Sequence, residues 1–156
     1  MPIDPEGFRD AARMFATGLT VVTVNLDGDL HGMTASSFAS ISLDPPLVMV
    51  SLDKGSRTRE MVSASGTFAV NILGEEQEAI AKSFSVSGRK DFSTIPHTID
   101  ISGAPLFDDA LARLTCRTYA THDGGDHDIL LAEVLDASVS PGRPLLYFDR
   151  SYRRML

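Results

Sequence analysis

The strongest constraint on how this chain can fold is a succession of short β-prone runs separated by tight-turn chemistry. Leu19-Thr-Val-Val-Thr-Val-Asn25 is almost wholly β-branched, and such side chains suit a pleated, half-buried surface. Asp27-Gly28 follows, a dipeptide that favours a two-residue hairpin turn, so 30–34 is predicted to return as a second strand. A third run, Phe38–Leu43, stops at Asp44-Pro45-Pro46, where proline imposes extended backbone and ends pairing. Leu47-Val-Met-Val-Ser-Leu52 is a nearly continuous apolar fourth strand, predicted to be buried on both faces. Further strands are predicted at Thr67–Leu73, Leu111–Thr121, Ile129–Val139 and Pro144–Phe148.

Helical spacing is confined to three places. Phe8, Ala11, Ala12, Phe15 and Ala16 predict an amphipathic helix over 5–16, with Asp4-Pro5 as N-cap and first turn and Gly18 as C-cap. The other two are predicted over 57–65, before Gly66, and over 75–84. Ser85–Pro105, rich in Ser, Gly and Pro, is predicted to be a long excursion with little regular structure, and such loops are often functional. Strands do not alternate regularly with helices, which argues against a doubly wound sheet. The expected fold is mainly β with a few helices, a barrel closed to avoid edges. At 156 residues the chain is expected to form a single domain, 1–156.

Composition removes several functions. A formal net charge of −7 disfavours nucleic acid and anionic membrane surfaces as partners. Cys116 is the single cysteine, so no internal disulfide can form. No Cys/His spacing suits zinc, and no metal is expected. Met1–Asp10 carries Asp4 and Glu6 without the apolar run of a signal peptide, and no stretch approaches the roughly 18 apolar residues of a membrane span. A cytoplasmic location is expected. The dinucleotide fingerprint, the P-loop, H-E-x-x-H and G-x-S-x-G are all absent from the sequence.

Four features carry chemistry. Gly32-Met-Thr-Ala-Ser-Ser-Phe38 is mostly small or hydroxylated, which lets a flat ring approach the backbone; tight packing of a strand on a helix accounts for it equally. In Ser51-Leu-Asp-Lys-Gly-Ser-Arg-Thr58, the hydroxyls, free amides and cations at a helix start suit a phosphate. Ser56 is also a reasonable N-cap without any ligand. Gly88-Arg89-Lys90-Asp91-Phe92 sets two cations beside an aromatic ring, and plain solvated charge explains it too. Gly124-Gly125-Asp126-His127 places a histidine in a glycine-rich turn, where it could meet a ligand or be incidental. His31, His97 and His122 read as structural or surface residues.

Taken in order along the chain, these motifs resemble the short-chain flavin reductase family, the reductase components of two-component monooxygenases. The resemblance runs through Phe15-Ala-Thr-Gly-Leu-Thr-Val-Val-Thr23, His31–Phe38, Ser42-Leu-Asp-Pro-Pro-Leu47 and Ser56-Arg-Thr58. It continues in Phe68–Leu73, Gly125-Asp-His127 and Pro144–Phe148 with Tyr152. It implies an FMN-binding split β-barrel with Greek-key connections and a homodimer. By similarity Thr34, Ala35, Ser36 and Ser37 would line the isoalloxazine ring, and Ser51, Ser56, Arg57 and Thr58 would hold the ribityl chain and phosphate. Lys90 and Phe92 would cover the phosphate or ring. His127, with Asp126, would contact the nicotinamide dinucleotide. The implied activity is NAD(P)H-dependent reduction of FMN or FAD, with NADH or NADPH as co-substrate, no single essential catalytic side chain and a separate monooxygenase as possible partner. A non-catalytic flavin-binding split barrel, or an oxidoreductase of related fold using another donor, would share most of these residues.

Overall fold

A computed structural model describes residues 2–156. Helix α1, Pro5–Ala12, is capped by Asp4, whose Oδ1 accepts the Gly7 amide at 2.8 Å. The helix stops short of the predicted 5–16. It buries none of its residues, and Phe15 is exposed, so no apolar face rewards further turns. Arg13, not Gly18, is its C-cap. Gly18 instead belongs to a short strand β1, Thr17–Gly18, which pairs with Leu146 and Tyr147 near the chain end.

Strands β2 (Thr20–Leu26) and β3 (Asp29–Ala35) form the expected hairpin. Asp27 (φ 53°) and Gly28 (φ 89°) both take the left-handed conformation that a type I′ turn demands. Strands β4 (Phe38–Leu43) and β5 (Pro46–Asp53) pair next. In β5, Val48, Val50 and Leu52 are buried while Met49 and Ser51 are half-buried; one face is core and the other is not fully covered, a correction to burial on both faces. Helix α2, Arg57–Ser65, starts at Ser56 and ends at Gly66 (φ 74°), as predicted. Strand β6 is Thr67–Ile72, and a 3₁₀ turn, Glu75–Gln77, leads into helix α3, Glu78–Phe84.

The excursion after α3 holds a small hairpin, β7 (His97–Ile99) and β8 (Pro105–Phe107), where little regular structure was expected. The Asp100 carboxylate accepts the amides of Ser102 and Ala104 and thereby closes the intervening turn. Strands β9 (Ala112–Gly124) and β10 (His127–Val139) extend well past their predicted ends. The predicted loop His122–Asp128 is mostly ladder, leaving Gly125-Asp126 as the turn. Strand β11 is Leu145–Phe148. An unpredicted strand β12, Ser151–Arg154, follows a turn in which Asp149 and Arg150 have φ of 49° and 62° without any glycine to announce it.

Seven strands form one antiparallel sheet in the order β3-β2-β6-β9-β10-β5-β4. Its edges, β3 and β4, are joined by Ser36-Ser37 alone. That link spans at most about 11 Å, whereas flat strands spaced about 4.8 Å apart would set these edges roughly 29 Å apart. The sheet must therefore curl until its edges meet. The Ser51 amide, on the partner of β4, donates to Ser37 O at 3.3 Å where the curl comes round. Among the described residues no ladder joins β3 to β4, so the mainly-β split-barrel fold is present without continuous closure. One core, containing Val24, Val50, Phe68 and Cys116, fills the curl under α2. A second core lies under α3 around Phe84, Phe92 and Phe107. Burial pushes the Cys116 thiol up to about 12.

Candidate functional site

Two hollows flank the end of β3. The first, about 970 Å³, lies between β3, the start of α2 and the segment 84–90. Its floor depends on Gly32. A Cβ there would lie 2.8 Å from Val22 O and 3.2 Å from the Phe84 ring, so only glycine lets α3 press its last aromatic onto the strand. Arg57, Arg89 and Lys90 ring this hollow, a concentration of positive charge in a chain of net charge −7.

Ser56 is drawn there by helix geometry. Its hydroxyl accepts the Arg59 amide at 3.1 Å and donates to Asp53 O at 2.8 Å. Thr58, next but one, is buried at 1 % exposure, and its Oγ1 has no hydrogen-bond partner. A buried hydroxyl left unpartnered is costly, and Thr58 is among the residues that line the cationic hollow. Arg57 pairs with Asp29 at 2.5 Å. The Lys90 ammonium donates to the carbonyls of Val86 and Ser83, and partial burial holds its pKa below the usual lysine value. His31 also lines this wall and is 7 % exposed. Desolvation first, then the cations Lys90 and Arg57, lower its basicity, so the ring is neutral at pH 7.

The second hollow, about 710 Å³, is mainly apolar. It opens between the chain following α1, β1 and the β4–β5 pair, with Thr17, Ser36, Ser37, Met49 and Tyr147 in its wall. The predicted run Thr34–Ser37 is therefore divided. Thr34 belongs to the cationic hollow, where its hydroxyl donates to Ala81 O at 2.7 Å. Ser36 and Ser37 belong to the apolar one, and Ala35 is buried between them. Ser51 is tied to the same place, its carbonyl accepting the Ser37 hydroxyl at 3.0 Å.

The turn of β9–β10 reaches this region beside the end of β5. His127 pairs in register with Asp53, three residues before Ser56, and the Lys54 amide donates to Asp126 O at 3.0 Å. Lys54 also forms an ion pair with Asp123. The half-exposed His127 ring bonds the Asp126 carboxylate through Nδ1 at 2.7 Å, and that contact holds the Asp126 carboxyl below the usual carboxylate range.

Phe92 is corrected. It is 7 % exposed and packs edge-on against Phe84 with ring centroids 5.4 Å apart, inside the second core and in neither hollow. Burial of its apolar area decides this place. His31, set aside on sequence, belongs to the cationic wall; the available signal was its position at the head of the His31–Phe38 run. Among the described residues no cluster of potential metal ligands occurs.

The curled antiparallel sheet thus sets a cationic and an apolar hollow beside one strand end. The model of the flavin reductase like domain matches residues 12–156, and the chain belongs to that family. It is 40% identical over 147 residues to the FMN reductase (NADH) SmoA of Agrobacterium fabrum, covering 94% of this chain and 84% of that one. It is 37% identical over 152 residues to the reductase component of 4-hydroxyphenylacetate 3-monooxygenase of Thermus thermophilus, covering 97% of each. Among solved structures, the NADH:FAD oxidoreductase SgcE6 of Streptomyces globisporus, in complex with NAD and FAD fragments, superposes with a TM-score of 0.93 at 37% identity, covering 100% of this chain and 97% of that one.

Proposed function

We infer that the chain is an NAD(P)H:flavin oxidoreductase, with FMN or FAD as hydride acceptor and NADH or NADPH as donor. The observation that carries this reading is the division of Thr34–Ser37 between a cationic and an apolar hollow, each suited to one half of a phosphorylated flavin. The unpartnered Thr58 hydroxyl, with Arg57 and Lys90 beside it, fits a phosphate. Ser56 keeps the helix start in the shape that exposes this cradle. The small residues Ala35, Ser36 and Ser37, with Ser51 bonded behind them, give a ring close access to backbone.

A bound flavin would supply the acceptor for a hydride from a reduced nicotinamide, and this chemistry belongs to the cofactors. The chain contributes position. His127, oriented by Asp126, holds the nicotinamide dinucleotide at the open side of the site. No single side chain is expected to be indispensable. Residues 1–156 act as one domain, in the cytoplasm, as a homodimer that delivers reduced flavin to a separate monooxygenase. The relative from Thermus thermophilus, named as such a reductase component, supports that partner, and exposed Phe8, Phe15 and Leu43 offer apolar surface for a second copy. No helix among the described residues is long and apolar enough to cross a membrane.

The test is oxidation of NADH or NADPH, followed by absorbance, with FMN or FAD added. His127→Ala should raise the apparent KM for nicotinamide about tenfold or more while flavin affinity changes little. An unchanged KM would remove His127 from the nicotinamide site. No turnover with any combination would leave a flavin-binding protein without reductase activity.

A further inference from the structure

Among the described residues Asp128 is the one buried acidic side chain of the sheet. Along β10 it shares the core face with Leu130 and Ala132, and it is 6 % exposed. A carboxylate in such a place needs a partner, and Arg59 of α2 supplies it: Nε donates to Oδ2 at 2.6 Å. Arg59 is bound at its other end as well, because its backbone amide donates to the Ser56 hydroxyl. A chain of bonds thus runs from the helix start, through Arg59, to the residue that follows His127. Lys54, through Asp126 O and Asp123, fixes the outer side of the same turn.

We propose that the Arg59–Asp128 ion pair is a positioning device that sets His127 against the Ser56–Thr58 helix start, and so governs nicotinamide binding without touching either cofactor. The proposal rests on the reading of His127 as the nicotinamide contact. Two residues 69 positions apart in sequence meet at this pair, so its loss frees the turn from α2 while the β9–β10 and β5–β10 ladders remain. Arg59 and Asp128 act through His127, and their effect must vanish when the imidazole is gone.

Full-length protein carrying Asp128→Asn, Arg59→Met or Arg59→Lys is compared in the wild-type and His127→Ala backgrounds. Turnover is followed with FMN and whichever of NADH and NADPH the wild type oxidises, and FMN affinity is measured by fluorescence titration. Asp128→Asn should raise the nicotinamide KM about tenfold with kcat and FMN affinity within about twofold, and should add less than about twofold in the His127→Ala background. Arg59→Met should reproduce this pattern and Arg59→Lys should restore most of the wild-type KM. An equal factor in both backgrounds, or an FMN affinity that falls as much as KM rises, overturns the proposal and leaves a purely structural ion pair. If His127→Ala raises KM and neither Asp128→Asn nor Arg59→Met does, the positioning idea alone fails. If His127→Ala leaves KM unchanged, the nicotinamide reading fails and takes the proposal with it. Should Asp128→Asn not fold, Arg59→Met carries the same comparison.

Discussion

The cationic hollow and the apolar hollow share one strand end yet hold their shape by different means. The cationic wall is held mainly by side-chain contacts to a helix start and a loop. Ser56 caps a helix, Arg57 on that helix meets Asp29 on β3, and Lys90 is anchored on carbonyls of α3 and of the loop that follows it. Thr58 is the exception, buried and unpartnered. The apolar wall is held by long-range strand pairing. Ser37 bonds Ser51 across the curl, and Tyr147 arrives from β11, which also pairs with β1. A charged group is thus expected to be recognised by a small, preorganised helix start, and a flat ring by the closure of the sheet. Recognition at the first should depend on ligand charge and at the second on ligand shape.

That contrast can be broken most directly at the helix start. Ser56→Ala with Thr58→Ala should weaken FMN binding about 100-fold, the Thr58 charge-assisted hydrogen bond and the Ser56 cap that shapes the cradle being lost together, and leave riboflavin within about twofold. Calorimetry with both ligands decides it; equal losses would move the phosphate elsewhere. Filling the apolar hollow with Met49→Trp should weaken FMN and riboflavin alike by about tenfold. A selective loss of FMN would show that the two hollows are not separate in function. Raising the salt concentration is a gentler discriminator. It should weaken FMN binding a few-fold and riboflavin not at all, because screening acts only on the charged end.

The smallest effect concerns His31. Its basicity is lowered in the folded chain from an ordinary value of 6.5, chiefly by burial. The unfolded chain therefore takes up the proton first as pH falls. Stability is retained above about 6.5 and declines as pH drops from there through the lower folded value. His31→Asn should flatten the melting temperature across that window and leave it unchanged above pH 7. A slope as steep as in the wild type would assign the acid sensitivity to other groups.

The same contrast between local and long-range construction explains what could be read from sequence. Helix α2 was legible to the residue, because Ser56 and Gly66 carry its ends in their own chemistry. So was the β2–β3 turn at Asp27-Gly28. The cationic hollow was therefore visible as Ser56-Arg57-Thr58 with Lys90. The length of α1 was not, since β11 takes the backbone of Thr17-Gly18 from far along the chain. Strand β12 was hidden by a turn of Asp149-Arg150 that lacks glycine. The burial of Phe92 was not legible because the aromatic core that holds it forms only when α3 and β8 come together. The split of Thr34–Ser37 depends on the curl of the sheet, and the Arg59–Asp128 pair on a contact between distant segments.

Cys116 gives the molecule an internal clock. It is fully buried in the first core, and its thiol is shifted to about 12, so in the native state it offers almost no thiolate to an alkylating reagent. Labelling must wait for β9 to open, and the rate of labelling then reports how often the barrel comes apart. The native surface is left without a competing thiol, since this cysteine is the only one in the chain. A cysteine introduced at exposed Ser36, beside the apolar hollow, would then react alone, and its protection by flavin would time ligand arrival separately from unfolding.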